Sequence, residues 1–223
     1  MNTRYSRNYN TISIEQQKKL AKYNILVIGL GGLGSHIIEG LTRLGIQNIG
    51  ICDYDVSEES NINRQLLVFE NNLNLPKTKL ATQRILDING KCKIKVYQKF
   101  YNKQIQQDLH EYDLIIDCLD NNIVSNQLLE ICIKANKNII YGSIAGDYGY
   151  VGVINNDNNI FNYLNYNLKG IENMVGNPYY IVSLVASIQL KLALKVLFNE
   201  KYIKKGFYYI DLKELSIEKI TFE

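Results

Sequence analysis

Histidine is scarce, cysteines stand alone, and neither sign of charge dominates. The 223 residues hold 2 His and 4 Cys. The thiols (Cys52, Cys92, Cys118 and Cys132) are widely separated, with no C-x-x-C pair. A structural zinc site needs a tetrahedral cluster of sulfur or imidazole ligands, so no zinc is expected. The same spacing offers no disulfide framework, and two thiols fall inside apolar runs, which points to a reducing, cytoplasmic setting. Lys and Arg number 25 against 22 Asp and Glu, a net charge of +3, and they are scattered. Neither a nucleic-acid stripe nor a polybasic membrane patch is indicated. The opening MNTRYSRNYN has no apolar core of a leader, and the longest uncharged apolar stretch, Tyr179 to Leu190, is too short to span a bilayer. A soluble protein is expected. No internal repeat and no Pro- or Ser-rich linker interrupts the chain, and 223 residues at 46% hydrophobic suit one compact domain, 1–223.

What is present is an alternation of buried strands and helices. Residues 1–23 form an N-terminal arm and a helix that Ser13 and Gln16 can cap. NILVIG is a run of aliphatic residues ending in glycine, the pattern of a strand buried on both faces. Leu33, Ile37, Leu41 and Leu44 recur at helical spacing before Gly45, and NIGICD reads as the next strand. This β-α-β unit implies a parallel sheet. A polar stretch from Tyr54 to Leu75 breaks the rhythm, and its length points to function. Pro76 suits the first position of a helix running to Asn89. CKIKVY, a helix over 103–111, the strand DLIIDCLD, a helix over 121–136 and the strand NIIYGSI follow. GDYGYVGVI begins the second half of the sheet. Residues 155–178 read as a crossover loop, Tyr179 to Phe198 as a helix, and GFYYIDL with ELSIEKITF as a closing hairpin. The fold class is a Rossmann-like three-layer α/β/α sandwich with a mixed sheet, parallel in its N-terminal half and antiparallel in its C-terminal strands.

Gly29-x-Gly31-x-x-Gly34 closes a predicted strand and opens a predicted helix, so backbone N–H groups at the helix start can face an anion. Asp53 ends the next strand, where a carboxylate can accept from both ribose hydroxyls. A nucleotide is implied, although a purely structural turn and a dehydrogenase share these features. Asp55 to Gln65 is a dense polar block beyond the strand edge that dinucleotide binding does not require. Arg64 offers a planar fork for phosphate oxygens and Lys77 a point charge at a helix start. Two cations suit a triphosphate. Asp120, on the same sheet edge, can hold Mg²⁺ directly or through water, or can cap the helix that follows.

These segments resemble the ThiF/MoeB/HesA family of ubiquitin-activating-type adenylyltransferases over essentially the whole chain. The matching stretches are RYSRN, GLGGLGS, D-Y-D-V-x-x-S-N-I-N-R-Q, the PK of LPKTK, DCLDN and VASIQLKLALKVL. The resemblance implies an ATP site built from Gly32, Asp53, the stretch Ser60, Asn61, Asn63, Arg64 and Gln65, then Lys77, Asp120 and Asn121. It also implies that Arg7 reaches the phosphates of the other subunit in a homodimer.

The reaction so implied adenylates the C-terminal glycine carboxylate of a small ubiquitin-like sulfur carrier ending in Gly-Gly, of the ThiS or MoaD kind, and releases pyrophosphate. Such a nucleophile is ionised at neutral pH, so no general base is required. Cations are required, to bring one anion up to another. Many relatives carry two C-x-x-C pairs, absent here. Some also have a crossover cysteine that captures the acyl group, and 157–177 contains none. Cys52 and Cys118 read as inert apolar thiols. The expectation is adenylation without covalent capture, with a separate sulfur donor. His36 either touches nucleotide or covers core. Tyr163, Tyr166, Tyr179 and Tyr180 are candidates for lining a groove for the Gly-Gly tail. A nicotinamide-dependent oxidoreductase and a non-catalytic nucleotide-binding module stand as alternatives.

Overall fold

The computed structural model describes residues 3–98, 103–156 and 172–222. A short 3-10 helix, Thr3–Asn8, precedes α1 (Ile14–Leu20). Ser13 caps α1 reciprocally: Gln16 N–H donates to the Ser13 hydroxyl at 3.1 Å, and Ser13 N–H donates to the Gln16 side chain at 2.8 Å. Such a cap contributes about 1 kcal/mol. The helix ends at Leu20, short of the predicted Tyr23, because the chain straightens into β1 (Asn24–Ile28).

In β1 the side chains alternate between two cores: Ile25 and Val27 on one face, Leu26 and Ile28 on the other. All four are fully buried, which is why the strand reads as one apolar run. Each side chain so removed from water contributes roughly 1.5–3 kcal/mol before entropy is counted. α2 (Gly32–Leu44), β2 (Asn48–Cys52), α3 (Lys77–Ile88), β3 (Lys93–Tyr97), α4 (Lys103–Asp108), β4 (Leu114–Asp117) and α5 (Asn122–Lys134) follow. Then come β5 (Ile139–Ala145), β6 (Tyr148–Ile154), α6 (Glu172–Val175), α7 (Tyr179–Leu197), β7 (Gly206–Asp211) and β8 (Ser216–Thr221). Pro76 is the cap residue before α3 rather than its first helical residue.

The eight strands form one sheet in the order β3-β2-β1-β4-β5-β6-β7-β8. β1 through β5 run parallel, and β5 through β8 pair antiparallel, as the alternation predicts. Helices α2 and α7 pack on one face, and α7 also contacts β5 and β6. α4 and α5 supply the other core, around Ile105, Leu128, Leu129 and Cys132. α7 continues past Lys191 to Leu197 and is long and apolar enough to cross a membrane. It serves as a core helix, with Ile181, Val182, Val185 and Ala186 fully buried. Most of the predicted crossover, with Tyr163 and Tyr166, lies outside the described residues.

Register places the site. Ile28 pairs with Cys52 on one side and with Asp117 on the other, so β1, β2 and β4 end level. The loops after them therefore emerge side by side at the carboxyl edge, where open α/β sheets bind ligands.

Candidate functional site

The glycine turn closes the site from below. Gly29 has φ +88°, a left-handed conformation suited to glycine, and a Cβ there would meet the Cys118 carbonyl oxygen at 2.6 Å. Its N–H donates to the Cys52 carbonyl at 2.9 Å, fastening the turn to β2. Gly31 is the cap residue of α2 and has no side-chain partner, so the first N–H groups of that helix are open toward the cleft.

Asp53 holds this turn. Its Oδ2 accepts from Leu30 N–H at 2.6 Å and its Oδ1 from Asp55 N–H at 2.7 Å. Burial pushes its acidity down, raising the pKa above the usual aspartate value, against those two hydrogen bonds and the nearby Lys77 charge. A carboxylate has further lone pairs, so Asp53 can still accept from a ribose.

Lys77, the first residue of α3, is buried, and its Nζ lies 3.0 Å from Asp55 Oδ2. Its backbone N–H donates to the Asp55 carbonyl, also at 3.0 Å. Arg64 is half-buried, with its stem against Gly32. Nη1 of Arg64 donates to the Ser60 carbonyl and the Asn63 side chain at 2.9 and 2.8 Å. Those bonds fold one nitrogen back onto its own loop and leave the rest of the fork for a ligand. Gln65 is buried at the same wall, and its Oε1 has no partner among the described residues.

Across the cleft, β4 ends in Asp117, and its Oδ1 accepts from Leu119 N–H at 3.0 Å. That bond turns the chain so that Asn121 caps α5, accepting from the N–H groups of Ile123 and Val124 at 3.0 and 3.2 Å. The capping alternative for Asp120 is therefore corrected: Asn121 does that work. Asp120 is exposed and makes no hydrogen bond or ion pair with the described residues. Asp117 itself is fully buried, and burial pushes its pKa up to about 6.

Together these groups line one cleft, open to solvent. Gly29, Gly31, Gly32, Asp53, Arg64, Gln65, Lys77, Asp120 and Asn121 line it. Gly34, Ser60, Asn61 and Asn63 do not. Gly34 lies beneath the turn, packed on Gly29. Asn61 is buried and caps its own 3-10 turn by accepting from Glu58 N–H at 3.1 Å. Ser60 and Asn63 shape the same loop and so position Arg64. Arg7 is remote from the cleft of its own chain. The 3-10 helix that carries it packs through Tyr5 against Gly45 at the far end of α2, whose 13 residues span about 20 Å.

The pattern reading did not assign Tyr54, Asp55, Gly142 or Ser143, which also line the cleft. Tyr54, directly after Asp53, is 72% exposed at the mouth. Its phenol pKa is raised, chiefly by the Asp55 charge. Cys52 and Cys118 line the floor as buried thiols. Burial pushes Cys52 up to about 12 and Cys118 well above the ordinary thiol value. His36 lies outside the cleft, its ring 5.3 Å from that of Tyr179, and burial lowers its pKa, so it packs as a neutral ring. No cluster of three or more His, Cys, Asp or Glu that could hold a metal exists among the described residues. Mg²⁺ is commonly held by one or two carboxylates together with substrate phosphates. The unpaired carboxylate of Asp120, facing the cleft, fits that donor set.

The arrangement is a polar slot with N–H donors at its base, a ribose-compatible acid on one side, and two cations and a free carboxylate around the remainder. A family model described as the ThiF family matches residues 5–223. The chain is 35% identical over 156 residues to a probable molybdopterin-synthase adenylyltransferase of Porphyra purpurea, covering 69% of this chain and 41% of that protein. It is 34% identical over 155 residues to the adenylyltransferase and sulfurtransferase MOCS3 of Xenopus laevis, covering 68% and 34%. The matched stretch thus covers less than half the length of each of these curated relatives. Among solved structures, E. coli MccB crystallised with ATP superposes with a TM-score of 0.81 at 21% identity, over 99% of this chain and 72% of that one. This last likeness speaks for the fold.

Proposed function

Since the chain belongs to the ThiF family, we propose that it is an ATP-dependent adenylyltransferase that activates the terminal carboxylate of a small ubiquitin-like sulfur carrier. One observation carries the reading: Lys77, Arg64 and the unpaired Asp120 converge on one slot at the carboxyl edge, beside an open helix N-terminus and Asp53. A dinucleotide site of dehydrogenase type leaves both cations and the free carboxylate without a task.

In the reaction, a carboxylate oxygen of the carrier's last glycine attacks the α-phosphorus of ATP. The bond to the bridging oxygen breaks, and pyrophosphate leaves with that electron pair. The obstacle is repulsion between the incoming anion and the polyphosphate. The N–H groups at the start of α2 and the charges of Lys77 and Arg64 lower it. Asp53 anchors the ribose, which fixes the α-phosphorus for in-line attack. Asp120 is the residue to hold Mg²⁺, which when bound neutralises charge developing on the departing pyrophosphate.

Arg7 stands too far from its own cleft to take part there, which supports a homodimer in which it serves the other site. The crossover sequence has no cysteine, so the acyl-adenylate passes to a separate sulfur donor. A cytoplasmic location and the absence of zinc belong to the same reading.

ATP–pyrophosphate exchange tests it, with candidate carriers ending in Gly-Gly and the same carriers lacking the last glycine. Exchange is expected with the intact tail alone. Thermal shift with NAD⁺ but not with ATP and Mg²⁺ would overturn the proposal.

A further inference from the structure

Among the described residues, Asp55 is the one cleft acid in an ion pair with a cation. Its carboxylate lies 3.0 Å from Lys77 Nζ, and its carbonyl accepts from Lys77 N–H at 3.0 Å, so one residue holds both ends of the lysine. The lysine side chain is only 7% exposed, against 47% for the aspartate. The surrounding backbone is strapped: Val56 bridges to Pro76, Ser57 N–H donates to Leu75 O and Asn74 N–H to Ser57 O, each at 2.8 Å. Asp55 N–H in turn donates to Asp53, which accepts from Leu30 in the glycine turn. An unbroken chain of hydrogen bonds therefore runs from the glycine turn through the ribose acid to the phosphate-side lysine.

Lysine is a point charge on a flexible stem, with three ammonium protons and no geometric fork of its own. Something else must set its direction. We propose that Asp55 is a positioning residue that aims the Lys77 ammonium at the polyphosphate of a bound nucleoside triphosphate. The proposal rests on the ATP reading given above. One ammonium proton goes to Asp55 and two stay available for phosphate oxygens.

The role has a signature that a merely structural aspartate lacks. Asp55 is itself an anion beside a polyanion, so removing it relieves repulsion while releasing the lysine. The two effects oppose each other in ATP binding, but only the second bears on turnover. Asp55→Ala is therefore expected to leave the KM for ATP within about threefold and to lower the pyrophosphate-exchange kcat by about tenfold or more, with Asp55→Glu recovering much of the loss.

Calorimetric ATP binding, measured without any carrier, completes the test. In a Lys77→Ala background there is no aim left to lose, so adding Asp55→Ala is expected to tighten ATP by about threefold or more. An equal change in both backgrounds overturns the proposal, as does a kcat loss that tracks a fall in Tm and is not recovered by Asp55→Glu. Wild-type protein that binds ATP with this coupling but exchanges no pyrophosphate overturns the adenylation reading alone. Wild-type protein that binds no ATP overturns both.

Discussion

A Cβ placed on Gly34 would lie 1.9 Å from the carbonyl oxygen of Gly29, so α2 enters the sheet in direct backbone contact with the turn that precedes it. Neither partner can yield, since Gly29 is itself pressed against the Cys118 carbonyl. Gly34→Ala is expected to cost about 3 kcal/mol or more and to abolish ATP binding, read as a large fall in Tm and loss of the ligand-induced shift. At Gly31 the nearest group is the flexible Gln65 amide at 3.9 Å. Gly31→Ala should keep its Tm within a few degrees and still weaken ATP, because Gly31 lines the cleft at the start of α2 and a methyl there adds bulk beside the open helix N–H groups. Equal destabilisation by both substitutions would refute this division of labour.

Asp117 sets the pH dependence of stability in the opposite sense to most carboxylates. Burial raises its pKa from 3.8 to about 6 in the folded chain. The folded state therefore holds the proton more tightly than the unfolded state, and the resulting stability is fully present below pH ~4 and lost as pH rises through about 6. The difference amounts to about 3 kcal/mol by pH 7. Asp117→Asn keeps the oxygen that accepts from Leu119 N–H and removes the titration. Its stability relative to wild type is expected to grow between pH 4 and 7, measured by denaturant melts at fixed salt. A pH-independent difference would refute the assignment.

The sheet and the edge of the cleft were legible because local pattern and tertiary role agree. NILVIG and NIGICD are buried on both faces, the glycines fall where β1 must turn, and Asp53 and Lys77 sit at element ends that the edge brings together. The polar block was legible as a unit but not residue by residue. Asn61 and Asn63 shape the loop that presents Arg64, and no local pattern separates a wall-building amide from a ligand-facing one. The Asp55–Lys77 pair was hidden because several acids crowd the same segment and the partner lies across a long loop. Asp120 was the only cap the sequence offered for the helix after it; the chain turned by the Asp117–Leu119 hydrogen bond puts Asn121, read as the first helical residue, in that place instead. Gln189 was unreadable for the same reason of distance: its amide crosses over Gly142 to donate to the Asp117 carbonyl at 3.2 Å, joining α7 to β4 across β5.

The cleft thiols are expected to be chemically silent. Cys52 is 1% exposed, with its pKa pushed up to about 12, and burial raises Cys118 well above the ordinary thiol value. The thiolate is the reactive species, and at pH 7–8 it is a negligible fraction in both. Native protein should consume almost no aromatic disulfide reagent over an hour, and four thiols should appear on denaturation. Incubation with ATP and a competent carrier should likewise yield no conjugate cleavable by reductant. Trapping of either species at Cys52 or Cys118 by mass spectrometry would contradict the absence of covalent capture.

Arg7 and Arg64 offer a test of the composite site that does not depend on a dimer structure. Arg7 is exposed at one end of α2, about 20 Å along that helix from the glycine turn. Arg64 lies at the turn itself. If Arg7 serves the cleft of the partner subunit, Arg7→Ala and Arg64→Ala homodimers each have two defective sites, with exchange rates down on the order of a hundredfold. Mixing and reassembling the two variants makes heterodimers in which one site carries both substitutions and the other carries neither. Random reassortment gives about half heterodimers, so activity should return to about a quarter of wild type. The recovery must require subunit exchange and must fail when both substitutions are in the same chain. Full activity of Arg7→Ala alone, or no recovery from a mixture shown to have exchanged subunits, removes Arg7 from the site and with it the need for a second chain.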